Sequence, residues 1–311
     1  SGGDPASIPD LTYEDYLAFH KKYYHPSNSY LYLYGNMDME EKLNWIDENY
    51  LSHFEKIEVD SEVRLQKPFA ERKEEYGFYS VTEGEDTEGK AYFSYNTVCG
   101  DGLDRNLYRA FPVLSYVLVQ SIGAPLKQAL LDAGIGNDIS CYYEESVRQP
   151  FFSIIAKNVK MEQKQQFITV IETELKKIVK EGLNQQSLLA AINGYEFQYR
   201  EADFGNFPKG LMYGLQIFDS WLYDENKPFI HIQANDTFAF LKKQVGTDYF
   251  EKIIEKYLLK NPHATFVSVQ PKVGLTTLME EEEKKKLADY METLSDEQKA
   301  ALVKETEELK K

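Results

Sequence analysis

Cysteine is scarce: Cys99 and Cys141 are the only two in 311 residues. Two thiols cannot build a disulfide framework or a Cys-rich zinc site, and both read as buried thiols in strands of a reduced, cytoplasmic protein. Long hydrophobic runs are missing too. No stretch approaches the roughly 20 apolar residues of a membrane-spanning helix, so no membrane role is expected. Neither a basic-then-apolar leader nor a Met opens the chain, and Ser1-Gly2-Gly3-Asp4-Pro5 is expected to be the cut edge of something longer. Positive charge is short: 35 Lys and Arg face 51 Asp and Glu, a net charge of -16. That balance argues against nucleic acid, whose phosphates need a basic face. Acidity serves solubility, and it would also steer basic peptides toward the surface.

What is present is core material. Hydrophobic residues make up 42% of the chain and aromatics 14%, too much for a disordered segment. Thr12 with Asp15 reads as a helix start, and Tyr16, Phe19 and Tyr23 share one helical face. His25-Pro26 stops that helix, and Tyr30–Tyr34 reads as a strand closed by Gly35. Asp38 and Glu41 open a second helix with a stripe of Leu43, Ile46, Tyr50, Leu51 and Phe54. Residues 55–72 are polar and irregular, which puts a boundary near 68. Strands are expected at 75–81, 90–98, 137–144 and 150–157, and from 264 to a stop at Pro271. Helices are expected at 104–120 and 125–132. Three longer ones carry Phe167 to Val179, then Leu188 to Tyr199, then Leu211, Leu215, Phe218 and Leu222. Further helical segments follow Pro228. The run Glu280 to Lys286 and the Ser295/Gln298 capping box mark a helical hairpin. The expected fold class is α+β, a mostly antiparallel sheet covered by helices. The expected domains are residues 1–68, 69–272 and 273–311.

Catalytic chemistry is hard to find. The five histidines, His20, His25, His53, His231 and His263, lack the His-x-x-Glu-His or His-Glu-x-x-His spacing that turns two imidazoles toward one zinc. Each reads as a surface or capping residue. Ser121-Ile122-Gly123 matches half of a nucleophile elbow, because Val119 stands where the first glycine belongs. Gly134-Ile135-Gly136 resembles a dinucleotide loop but follows a helix, so a helix C-cap is the better reading. Glu144-Glu145 and Glu74-Glu75 read as solvated strand ends. No Gly-Lys-Ser/Thr phosphate loop occurs.

One echo runs through the chain. Lys22-Tyr23, Pro26 and Tyr30–Leu33 follow the same order as Lys256-Tyr257, Pro262 and Thr265–Ser268. The second copy starts near residue 75, so a complete first copy would begin roughly 160 residues before Ser1.

The segments Ser1-Gly2-Gly3-Asp4-Pro5, Ile8–Thr12, Phe19-His20, Tyr24-His25-Pro26-Ser27-Asn28 and Tyr34-Gly35-Asn36-Met37 resemble the pitrilysin/insulinase zinc peptidases. Gly134–Asp138 and Phe151-Phe152-Ser153 are similar to the second domain of the presequence-protease branch. The resemblance covers essentially the whole chain. It implies a clamshell of homologous α+β domains around peptide substrates. The zinc ligands would lie upstream of Ser1, and no catalytic or metal residue carries over. Zinc is then expected in the full-length protein and none in this chain. The implied partners are peptide substrates and the rest of the polypeptide, with self-association where a severed sheet stays open. One peptide-binding feature transfers: the loop Gln120, Ser121, Ile122, Gly123, Ala124 and Pro125 beside the strand Asp138, Ile139, Ser140, Cys141 and Tyr142. An edge strand there would offer backbone groups to an extended peptide. The alternative is a natural non-catalytic structural or peptide-binding subunit of the same family.

Overall fold

A computed structural model describes residues 5–311, with side chains from residue 7. The opening Ser1-Gly2-Gly3-Asp4 of the resemblance lies outside the described residues. Five strands form one sheet: Lys73–Val81 (β1), Ala91–Val98 (β2), Asp138–Glu144 (β3), Phe151–Val159 (β4) and Ala264–Val273 (β5). Their spatial order is β1-β5-β2-β4-β3. Only β1 with β5 is parallel; the other pairs are antiparallel, as expected for this α+β fold.

The helices are α1 (Tyr13–Tyr23), α2 (Met39–Asn49), α3 (Arg105–Ser115), α4 (Pro125–Asp132), α5 (Lys164–Glu181), α6 (Gln185–Glu201), α7 (Lys209–Trp221), α8 (Asn235–Gln244), α9 (Tyr249–Ile253), α10 (Leu275–Glu292) and α11 (Asp296–Leu309). Wide π-helical turns extend α3 through Gln120 and α9 through Leu259. Alternate strand residues face the helices, among them Phe93, Tyr95, Phe152, Ile154 and Phe266. They meet Phe111 and Leu114 of α3 and Phe167, Ile171 and Leu175 of α5, all fully buried. The start signals hold where the chemistry is local. Thr12, Asp38 and Ser295 each accept a backbone N–H three residues on, and Ser295 with Gln298 completes the box.

Three expectations change. Tyr30–Tyr34 forms no strand and pairs with none among the described residues. Its rings lie on α7 instead, Tyr30 on Trp221, Tyr32 on Phe218 and Tyr34 on Tyr213. Second, β5 does not stop at Pro271, which pairs with Tyr79 of β1. Pairing with β2 has ended at Val269, so the missing N–H of Pro271 removes no bond on that side. Third, the stripe of α7 is turned. Leu211, Leu215 and Leu222 are exposed, while Gly214, Ile217, Asp219 and Ser220 are buried. Polar anchoring decides this face: Asp219 takes a buried tyrosine hydroxyl and Ser220 donates to the Lys227 carbonyl at 2.6 Å.

Gly210 and Gly214, one turn apart on α7, let the tyrosines approach. A Cβ on Gly214 would lie 2.8 Å from the Tyr32 ring, and one on Gly210 would collide with Tyr34. Gly214→Leu is therefore expected to lift residues 30–34 off α7 and to speed proteolytic cleavage there about tenfold, read by timed limited proteolysis. Unchanged protection would contradict this packing.

None of residues 7–68 is buried, nor any residue of α10 or α11. Leu11, Tyr13, Tyr16, Phe19, Trp45 and Tyr290 each leave more than half of their surface open.

Candidate functional site

Local sequence builds the entry to β3. After α4, Gly134 takes φ +68° and donates its N–H to Leu131, while Ile135 donates to Leu130. That pair of bonds is a Schellman end, with Ile135 buried beside Leu130. The expected C-cap is present, and Gly136 at φ +62° then turns the chain into β3. β3 pairs with β4 on one side and borders no other strand among the described residues. Its open side is an edge able to accept an extended chain.

A cavity of about 300 Å³ adjoins this edge. Cys141, Tyr143 and Glu145 form one wall, Arg109 and Ser115 of α3 another, and Tyr195 of α6 closes it. Gln120 points an amide N–H at Cys141 Sγ, 3.7 Å away. Burial pushes the Cys141 thiol up to about 11, which leaves it un-ionised and unreactive near neutrality. Tyr143 is 9% exposed, stacks on Phe111 at 5.0 Å, and its hydroxyl has no partner.

Glu145 is not the solvated strand end expected from its Glu-Glu neighbourhood. Burial holds its carboxyl up at about 7; Arg109 pulls it back, and Asp219 and Glu144 push it up further. Behind it sits a buried polar group. The Tyr108 hydroxyl donates to Asp219 Oδ2 at 2.7 Å, and the His231 ring stacks on Tyr108 at 3.7 Å. Arg109 Nη2 donates to the His231 carbonyl at 2.9 Å. Burial, then Arg109, pushes His231 down to about 4, and neither ring nitrogen has a partner. His231 and His263 are thus core residues, contrary to the surface or capping role expected for each. His25 does cap, accepting the Ser27 N–H at 3.1 Å.

The histidines and acids do not fit a zinc site. Among the described residues no three His, Cys, Asp or Glu side chains gather as ligands. His20 stacks on Tyr24, His25 caps a turn, and His263 packs edge-on against Phe69.

The residues named from sequence fall into two places. Gln120 joins β3 at the cavity just described. Ser121, Ile122 and Gly123 form the turn into α4 and border a different cavity of about 340 Å³, shared with α5 and α6. Ile122 is fully exposed. On β3, Asp138 pairs with Lys157 at 2.8 Å, Ile139 is buried in the core, and Ser140 is half-buried. Arg109, Tyr143 and Glu145 were not legible as a group. Their one signal is an acidic pair at the end of a strand, which solvent-facing strands share.

A model of the peptidase M16 inactive domain matches residues 10–195. The chain belongs to the M16 peptidase family. It is 44% identical over 289 residues to Protein HypA of Clostridium perfringens, covering 93% of this chain and 30% of that protein. It is 33% identical over 318 residues to presequence protease 1, chloroplastic/mitochondrial, of Arabidopsis thaliana, covering 100% of this chain and 29% of that protein. The chain thus spans under a third of the length of either relative. A crystal structure of the M16 inactive domain from Pseudomonas fluorescens superposes with TM-score 0.61 at 17% identity, over 88% of this chain and 61% of that one. That likeness shows that the sheet and its helices are the M16 fold. The chain is therefore a non-catalytic M16 portion.

Proposed function

We propose that this chain is the non-catalytic part of a zinc metalloendopeptidase that degrades short, unstructured peptides. It supplies chamber wall and substrate contact, while zinc and the His-x-x-Glu-His motif belong to the rest of the polypeptide. There zinc lowers the pKa of a bound water and the motif glutamate acts as general base. The observation that carries this reading is the match of residues 10–195 to an inactive peptidase domain. The name of the Arabidopsis relative, a presequence protease, supports a peptide substrate. The open edge of β3 is the surface such a peptide would pair with, and the uncovered aromatics of residues 7–68 are where the remaining polypeptide would pack. Residues 69–272 form the peptidase-like domain in this reading, residues 1–68 the end of a preceding one, and 273–311 a linker. Alone, the chain would self-associate through those uncovered surfaces.

The test compares this chain with the longer gene product on short fluorogenic peptides. The chain alone should cleave nothing, with or without added zinc. The longer product should cleave, and a chelator should reduce its rate by at least about a hundredfold. A longer product without activity would favour the non-catalytic subunit instead. Peptide pairing has its own readout: backbone amides of residues 138–144 should exchange about tenfold more slowly when a peptide is bound.

A further inference from the structure

The cavity beside β3 is lined by polar groups left without partners. Glu145, only partly buried, makes no hydrogen bond or ion pair among the described residues, and the buried Tyr143 hydroxyl has no partner either. Arg109 is the cation on the same wall; its buried Nε has no partner either, but the rest of its guanidinium is engaged elsewhere. Its Nη2 donates to the His231 carbonyl, and its guanidinium lies 5.1 Å from the Tyr108 ring centre and 5.7 Å from that of Phe238. Other charges facing Glu145 are Glu144 after it on the strand and Asp219 of α7, both negative. One arginine among three carboxylates leaves the site short of positive charge. Pro112, Tyr195 and Cys141 supply apolar wall along which an alkyl stem can lie. Exposed Tyr142 and Gln120 place the mouth at the open edge of β3.

We propose that this cavity is a subsite for a basic side chain, lysine or arginine, of a peptide paired along β3, with Glu145 and the Tyr143 hydroxyl accepting its N–H groups. The subsite rests on the peptide-pairing reading above and adds a substrate class to it. A peptide N-terminus carries the same charge but no stem, and the test separates the two.

The probe is an N-acetylated, C-amidated unstructured peptide with one central lysine, compared with the same peptide carrying norleucine, titrated into the whole chain by calorimetry. The lysine peptide should bind about tenfold tighter. Glu145→Gln should erase that preference and leave norleucine binding unchanged. Tyr143→Phe should weaken lysine binding severalfold without lowering the melting temperature, because it removes a hydroxyl that bonds to nothing in the free chain. The preference should also grow between about pH 6 and about pH 8, as Glu145 gives up its proton. Cys141, Tyr143, Tyr195 and Tyr108 are pushed up and His231 is pushed down, and the Glu145→Gln variant controls for Asp219, Glu144 and Arg109. Equal binding of the two peptides, or a lysine preference that survives Glu145→Gln, would overturn the subsite while leaving β3 pairing intact. Failure of both peptides to bind would overturn the pairing and the subsite together.

Discussion

Gly136→Ala should cost about 3 kcal/mol of stability, and Gly134→Ala about 1 kcal/mol. Both glycines have positive φ, so both variants suffer the left-handed penalty of an L side chain. They differ in what a Cβ meets. At Gly134 nothing lies within 4 Å. At Gly136 the new carbon would sit 2.5 Å from the Lys157 carbonyl oxygen and 3.2 Å from Val159 Cγ1. A backbone carbonyl in the β3–β4 ladder cannot swing aside, so the strand must move. The collision falls beside a bulge, where Asn158 takes φ +58° and interrupts the pairing of β4 with β2. Edge-strand pairing should loosen first, and Gly136→Ala should weaken peptide binding along β3 as well. Chemical denaturation of the two variants checks the difference; equal losses would mean that the close approach does not exist.

Removing His231 should reshape the pH dependence of stability by about 3 kcal/mol. Its imidazole titrates at about 4 in the fold against 6.5 in the open chain. Between those values the unfolded chain binds more protons, so this residue makes stability rise with pH. Glu145 works in the opposite sense. It titrates at about 7 in the fold against 4.5 in the open chain. Across that window the folded chain holds more protons, so its contribution falls as pH rises. The two windows overlap between about pH 4.5 and 6.5, and the contributions nearly cancel there. His231→Phe, which keeps the stack on Tyr108 and the backbone carbonyl that Arg109 uses, should leave stability falling with pH. Glu145→Gln should leave it rising. Urea titrations at both ends of the window measure the slopes, and parallel slopes in the two variants would contradict the burial of these groups.

How much of this was readable follows the range of the interaction. Helix starts at Thr12, Asp38 and Ser295 and the glycine stop at Gly134 each depend on bonds spanning a few residues. Those signals are written in the sequence and the structure honours them. The strands were legible for the same reason, because alternation is local. Tyr30–Tyr34 has the composition of a strand, yet pairing needs a neighbour, and its rings found a glycine face on α7 instead. The stripe on α7 misled because Leu211, Leu215 and Leu222 repeat correctly while Asp219 and Ser220 secure the other face through distant partners.

By itself the sequence determined the α+β class, the family, most element boundaries and the want of a zinc-ligand spacing. Each of these rests on neighbours in the chain or on motif residues quoted as they stand. Tertiary structure alone decided that β5 enters between β1 and β2, which makes β3 and β1 the two edges. It alone placed Arg109, Tyr143 and Glu145 around one cavity and buried His231 against Tyr108. Those outcomes join residues on separate elements, some more than a hundred positions apart, through sheet pairing and desolvation. No local pattern encodes either.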